Sequence, residues 1–350
     1  MEKDKVGVIL VNYKDYARRF LKDCRDSLLS QTYNNFQVYI IDNASSDESY
    51  SYLKNNYPEA KILKREDGSY SAANNLGARE AISDACKYLF ICNMDTVLDK
   101  DCILELVKKS QEKEDEAILQ AKIYLHENGK KTNKLNTLGN DFNFLGFGLV
   151  RGYGKREEEL YFKQREFTYA SGCALILTSA LFEKIGGYNE LFYMYHDDIE
   201  LSLKARLLGH DIALANKAII YHKYEMSRSL NMLYFMERNR LLTILLFYKV
   251  RTLVLILPAL LILELGLIIY SIFNNWFKVK LKALAYFLSF KNIATIRRER
   301  RKMQALRLVS EKELTSSFVG YLKFDNKPSF LTKAISPLLN IYWQLIKKII

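Results

Sequence analysis

The stretch Tyr193-Met194-Tyr195-His196-Asp197-Asp198-Ile199-Glu200 follows a Gly186-Gly187-Tyr188-Asn189-Glu190 turn and runs into an apolar-periodic segment. Acids at a helix start are favoured by the helix dipole, so a capped helix is the plain reading. Carboxylates wrapped in aromatics beside a glycine turn fit a sharper one. Asp197 or Asp198 could act as a general base that takes a proton from an acceptor hydroxyl.

A scaffold must hold such a base. Val6-Gly7-Val8-Ile9-Leu10-Val11 and Val38-Tyr39-Ile40-Ile41 are continuous apolar runs, the pattern of strands buried on both faces. Lys61 to Lys64 and Tyr88 to Cys92 read as two more strands. Helical spacing fills Tyr16 to Leu29, Ser49 to Asn55, Ala72 to Ala85 and the stretch after Asp101. Strand alternating with helix predicts an α/β fold with a mostly parallel central sheet. In such sheets ligands bind at the carboxyl ends of strands. Asn12-Tyr13, Asp42-Asn43 and Asn93-Met94-Asp95 each stand at such an end. Residues 117–170 are expected to hold a strand and a long, partly mobile loop. A strand at Ala174 to Leu177, a helix from Asp198 to Leu208 and a last strand at Ile212 to Ala215 close the domain. Asp47 reads as a helix cap.

The chain has 350 residues, 49% hydrophobic and 26% charged, which is globular composition. Its net charge of +12 is uneven. Residues 226–350 hold 21 Lys+Arg against 6 Asp+Glu, or +15, and the rest holds 31 against 34, or −3. A catalytic domain over 1–225 and a basic, apolar helical region over 226–350 follow. The basic excess calls for an anionic partner. No zinc-finger spacing, RNA-binding signature or P-loop accompanies it, so a membrane surface is favoured and nucleic acid is not expected. Five scattered cysteines without a C-x-x-C pair fit a reducing compartment. The run Val6 to Val11 is too short for a secretory signal.

In order, the motifs are Val11-Asn12-Tyr13, Asp42-Asn43-Ala44-Ser45-Ser46-Asp47, Asn74-Asn75-Leu76-Gly77, Asn93-Met94-Asp95, Gly186-Gly187-Tyr188-Asn189-Glu190 with His196-Asp197-Asp198, His222, and Glu237-Arg238-Asn239. This ordered set resembles family 2 glycosyltransferases, in particular rhamnosyltransferase-like members that build bacterial surface polysaccharides. The resemblance covers about residues 6 to 240. It implies a Rossmann-like nucleotide-diphospho-sugar transferase fold of the A type, with a C-terminal helical region. The implied reaction is an inverting transfer of one sugar from a nucleotide-diphosphate donor to a hydroxyl of a lipid-linked or polysaccharide acceptor. Rhamnose as the sugar comes from the resemblance alone.

A departing diphosphate needs a cation to neutralise it. The resemblance makes Asn93-Met94-Asp95 the family's Asp-x-Asp site with its first acid replaced. Asp95 is then a ligand to Mn²⁺ or Mg²⁺, and His222 a second one. Asp42 matches the acid that accepts the nucleobase imide, and Tyr13, beside Asn12, could stack on the base. Asn74 and Asn75 would lie near the ribose or diphosphate, although the spacing from Gly68 is one residue longer than the family usually has. Arg238 could meet the diphosphate or a structural carboxylate. Asp198 holds the place of the catalytic acid, with Asp197 as the near alternative. Glu200 suits the helix start or a structural pair.

Thr252 to Phe273 is nearly all apolar, interrupted by Pro258, Glu264 and Gly266, and long enough to cross a bilayer. Basic residues on both flanks argue against crossing. The segment is expected to lie in the cytoplasmic leaflet, broken at Pro258, with the protein cytoplasmic and peripheral on the inner face of the membrane. A helix pair packed on the catalytic domain, or a homodimer interface, is the alternative. Two other functions compete with single-sugar transfer. A processive synthase would carry Gln-x-x-Arg-Trp and several spans. A nucleotide-binding module without catalysis would have no use for both Asp95 and Asp198.

Overall fold

The computed structural model describes residues 4–160, 167–225, 229–322 and 330–350. In chain order the elements are β1 (Val6–Tyr13), α1 (Tyr16–Leu29), β2 (Phe36–Asn43), α2 (Asp47–Asn56), β3 (Lys61–Arg65), α3 (Tyr70–Ser83), β4 (Tyr88–Cys92), β5 (Thr96–Leu98), α4 (Cys102–Glu112), β6 (Ala117–Glu127) and β7 (Lys130–Thr137). They continue with β8 (Asn140–Phe142), β9 (Gly148–Val150), β10 (Ala174–Thr178), α5 (Ser179–Lys184), α6 (Asp197–Leu207) and β11 (Asp211–His222). The helices α7 (Leu230–Phe247), α8 (Val250–Phe273), α9 (Phe277–Ala285), α10 (Phe290–Ala305), α11 (Glu311–Leu314) and α12 (Phe330–Ile349) complete the chain.

Two compact units result. One is built from Met1–Asn140, Val150–Ala205 and His210–Glu225, the other from Asp141–Leu149, Arg206–Gly209 and Met226–Ile350. The short stretches 141–149 and 206–209 thus group with the helical region, and residues 226–228, next to the expected boundary, lie outside the described residues.

The first unit is organised by one sheet in the order β3-β2-β1-β4-β10-β6-β11-β5, with β7 beside β6. β3, β2, β1 and β4 run parallel, β10 runs against both β4 and β6, and β11 is parallel to β6. The α/β architecture read from the alternation is the one observed. Val8, Leu10, Phe90 and Ile176 from the strands meet Leu21, Leu28, Ile103 and Leu106 from α1 and α4 in the main core. On the other face α3 lies very close to the sheet. A Cβ on Gly7 would stand 2.6 Å from Ala81 Cβ, and one on Gly77 would stand 2.6 Å from Ile41 Cδ1.

Ala81 Cβ cannot swing aside, so Gly7→Ala must push α3 off the sheet. Overpacking of this kind costs about 1–3 kcal/mol. Thermal melting should show a midpoint lowered by roughly 3–10 °C, and an unchanged midpoint would contradict the close packing.

Several sequence expectations are corrected. Residues 117–170 do not hold one strand and a loop. β6 and β7 form a hairpin through the Asn128-Gly129 turn, where Asn128 has φ 51° and Gly129 φ 74°. Residues 161–166 of that stretch lie outside the described residues. β11 is twelve residues long, with a register shift between Ala215 and Ile219 that the polar Asn216-Lys217 pair obscures in the sequence. The cap of α2 is Ser46, whose side chain accepts from Ser49 N, with Asp47 inside the first turn. α8 is not broken at Pro258: the proline sits within a continuous helix.

Candidate active site

The register of the sheet assembles the site. β1 and β2 pair so that Asn12 lies beside Asp42 and Tyr13 beside Asn43, at the carboxyl ends of both strands. Because β4 and β10 are antiparallel, the end of one meets the start of the other, and Asn93 N donates to Cys173 O at 2.9 Å. β11 pairs with β5 through His222 and Thr96, which sets the imidazole against Asp95. Asp42, Asp95, His222 and Gly172, which leads into β10, therefore share one end of the sheet.

Asp95 is buried. Tyr16, on the first turn of α1, donates its hydroxyl to Asp95 Oδ2 at 3.0 Å. Burial, and then the Asp95 charge, push the Tyr16 phenol well up, so it stays a donor. His222 Nε2 stands 3.2 Å from Asp95 Oδ1, while its Nδ1 faces Asn136 Oδ1 at 3.4 Å. Among the described residues no group donates a hydrogen bond to Asp95 Oδ1. A buried acceptor left so costs about 1–3 kcal/mol, and a cation bound there would satisfy it. Carboxylate oxygen and imidazole nitrogen are a suitable donor pair for Mn²⁺. Among the described residues no group of three His, Cys, Asp or Glu side chains gathers that could hold a metal. Substrate oxygens and water would have to supply the remaining positions.

The carboxylate loop enters α6 through a strained backbone. Tyr193, Tyr195 and His196 have φ of 64°, 62° and 60°, a region that side chains other than glycine rarely occupy. The first turn of α3 holds this loop in place. Tyr193 O accepts Tyr70 N at 2.8 Å and Ser71 N at 3.1 Å, two donors that a helix start leaves without intrahelical partners. Asp198 Oδ1 accepts from Ile199 N at 2.8 Å and Oδ2 from Gly172 N at 3.2 Å. Tyr70 then bridges the two halves. Its hydroxyl contacts Asn93 Oδ1 at 3.0 Å and Gly172 O at 3.3 Å.

Burial raises the Asp198 carboxyl to about 6. Burial, and then the charge on Asp198, push Asp197 well above the usual carboxylate range. Both shifts favour the neutral form, and the charge on Asp198 adds to this at Asp197. Asp198 is also the more exposed of the two. Glu200 takes the structural option: it pairs with Lys204 at 3.0 Å, both side chains buried.

Most of the other candidates fall behind the surface. Asn12 is fully buried. Its Nδ2 donates to Asp42 Oδ1 at 2.6 Å and its Oδ1 accepts Ala17 N at 2.8 Å. It orients Asp42, whose Oδ2 also takes the Ser45 hydroxyl at 2.6 Å. Tyr13 is half-buried, with the Lys14 ammonium 5.2 Å from its ring centre. Asn74 is fully buried and donates to Tyr70 O at 3.0 Å. Asn75 clamps Tyr188, giving Nδ2 to its carbonyl at 2.9 Å and taking its N–H at 2.8 Å. Arg238 belongs to the second unit, where its Nε donates to Asn239 Oδ1 at 2.9 Å and its guanidinium lies 4.9 Å from the Phe235 ring centre. Sequence reading missed Tyr16, Tyr70, Asn136 and Gly172. None carries a spacing signal, because each acts through a contact between distant segments.

The glycosyl transferase family 2 profile matches residues 7–186, more than half of the chain. The chain belongs to glycosyl transferase family 2. This family 2 enzyme is a glycosyltransferase. It is 26% identical over 247 residues to the low-salt glycan biosynthesis hexosyltransferase Agl10 of Haloferax volcanii, covering 68% of the chain and 75% of the relative. It is 27% identical over 226 residues to the O-antigen biosynthesis protein RfbC of Myxococcus xanthus, covering 61% of the chain but only 17% of that longer protein. Its fold is similar to that of GalNAc-T7, solved with UDP, GalNAc and Mn²⁺, at a TM-score of 0.56 and 13% identity over 71% of the chain and 48% of the other. The architecture is the A-type transferase fold, with a helical region appended.

Proposed function

We propose that this family 2 enzyme moves a single hexose-type sugar, with rhamnose the first candidate, from a nucleotide-diphosphate donor to a hydroxyl of a lipid-linked or polysaccharide acceptor, inverting the anomeric centre. The observation that carries this reading is the placement of Asp95 and His222 at the same end of the sheet as Asp198. The names of Agl10 and RfbC, both tied to glycan building, support a glycan acceptor.

Asp42 keeps lone pairs for the imide N–H of a uracil or thymine base, with Tyr13 offering a ring to stack on it. Asp95 and His222 would hold Mn²⁺ or Mg²⁺, which neutralises charge on the departing diphosphate. Tyr16 fixes one oxygen of Asp95 and Asn136 faces the far nitrogen of His222, so both ligands are pre-oriented. Asp198 takes the proton of the acceptor hydroxyl as its oxygen bonds to the anomeric carbon and the bond to diphosphate breaks. Burial and the Asp198 charge favour the neutral form of Asp197, which leaves Asp198 to accept that proton. Asn12 and Asn75 act by positioning Asp42 and the Tyr188 segment that leads to Asp198, and Asn74 is buried in the second turn of α3.

A panel of UDP-, dTDP- and GDP-sugars with Mn²⁺, Mg²⁺ or chelator tests the reading. One donor should be hydrolysed slowly with a divalent ion, and chelator should slow this by about tenfold or more. Failure of every donor to bind or react would overturn it.

A further inference from the structure

The second unit carries a surface that sugar transfer does not use. Among the described residues, α8 is the one helix long and apolar enough to cross a bilayer, yet only 17% of its most apolar stretch is buried. Thr252, Ile256, Ala259 and Ser271 face inward. Glu264 does too, joining Glu237, Arg240 and Lys280 in a buried set of two carboxylates and two cations. The outward positions are Val250, Val254, Leu257, Leu261, Leu265 and Ile269, exposed by 46–67% and spaced by three or four residues. They form one continuous stripe.

α12 has the same double character. Trp343 and Ile346 are buried, while Ile335, Leu338, Ile341, Leu345 and Ile349 are exposed by 41–67%. The two helices touch: the Tyr342 hydroxyl of α12 donates to Leu255 O of α8 at 2.5 Å. Two apolar stripes from the two ends of this unit's sequence thus belong to neighbouring helices. Extended exposed apolar faces of this kind mark protein or membrane interaction sites.

We propose that the paired outer faces of α8 and α12 form a monotopic docking surface for an anionic bilayer, lying in the boundary between headgroups and acyl chains. Two observations choose this occupant. Glu264 ties α8 sideways to α7 and α9, and α9 exposes Lys278 and Lys282, so α8 is part of a charged helical layer and lies along the membrane. Exposed Lys249, Arg251, Arg297, Arg298, Arg301, Lys302 and Lys348 supply the cations, within a region of net charge +15 (21 − 6). Anionic headgroups complement that charge, whereas a second copy would set like charges face to face.

The test is flotation of the full-length protein with vesicles of equal parts phosphatidylcholine and phosphatidylglycerol, against phosphatidylcholine alone. Binding to the anionic vesicles should be about tenfold stronger at low salt and fall as salt rises. The outward variants Leu261→Glu with Leu265→Glu, and Leu338→Glu with Leu345→Glu, should each cut binding by about tenfold or more. Circular dichroism and donor hydrolysis should be unchanged in both. Alkaline carbonate should release the bound protein. No flotation at low salt overturns the proposal. So does a soluble dimer that needs these leucines, resistance to carbonate extraction, or full binding by the α12 variant. None of these outcomes bears on whether a donor is hydrolysed, so transfer and docking fail separately.

Discussion

Asp198→Asn is expected to lower the transfer rate by about 10²–10⁴-fold, the usual worth of a positioned general base, while the dissociation constant for the nucleotide changes by less than about twofold. The side chain keeps its size, so the loop should stay in place, and a melting curve checks that. Asp197→Asn is the contrasting variant. Burial and the charge on Asp198 favour the neutral form of Asp197. Its amide should therefore cost far less than the change at Asp198.

The pH profile follows with a definite sign. The Asp198 carboxyl is raised to about 6 by burial. Below that pH it carries a proton and cannot accept another, so log(kcat/KM) should climb with a slope near one and flatten above about 6. In Asp198→Asn this acid limb should vanish. Equal rates for wild type and Asp198→Asn, or a profile with no acid limb near 6, would remove Asp198 from the role of base.

Asp95→Ala should act on the donor. It removes one of the two side chains proposed to hold the divalent ion and also strands the Tyr16 hydroxyl. In the presence of Mn²⁺ the dissociation constant for UDP should rise by about 10–100-fold, reaching the value that wild type shows in chelator. Titration calorimetry measures this without any turnover. His222→Ala should behave alike. Unchanged Mn²⁺-dependent binding in Asp95→Ala would show that the ion, if used, is held elsewhere.

Asp95 and Asp198 could be proposed from the sequence because each stands at an element boundary. Asp95 follows a fully apolar strand and Asp198 opens a helix, and apolar periodicity marks such boundaries well. Asn12 also stands near such a boundary, and Asn74 and Asn75 lie one turn into α3, and all three side chains are tied to the protein itself. A polar residue at a strand end can face the ligand or lock the backbone that does. The difference lies in hydrogen-bond partners far along the chain: Asp42 for Asn12 and Tyr188 for Asn75.

The hairpin of β6 and β7 was illegible for another reason. Lys130-Lys131-Thr132-Asn133-Lys134 is polar throughout and gains its strand form by pairing with β6, so no burial pattern announces it. Sequence alone determined the parallel half of the sheet, the family and the basic, apolar character of the helical region, since these depend on local periodicity, motif order and composition. Tertiary structure alone decided that Tyr70 joins Asn93 to Gly172, that Tyr16 holds Asp95 and that α12 lies beside α8. Such contacts depend on register and packing between segments dozens of residues apart, and no local pattern encodes them.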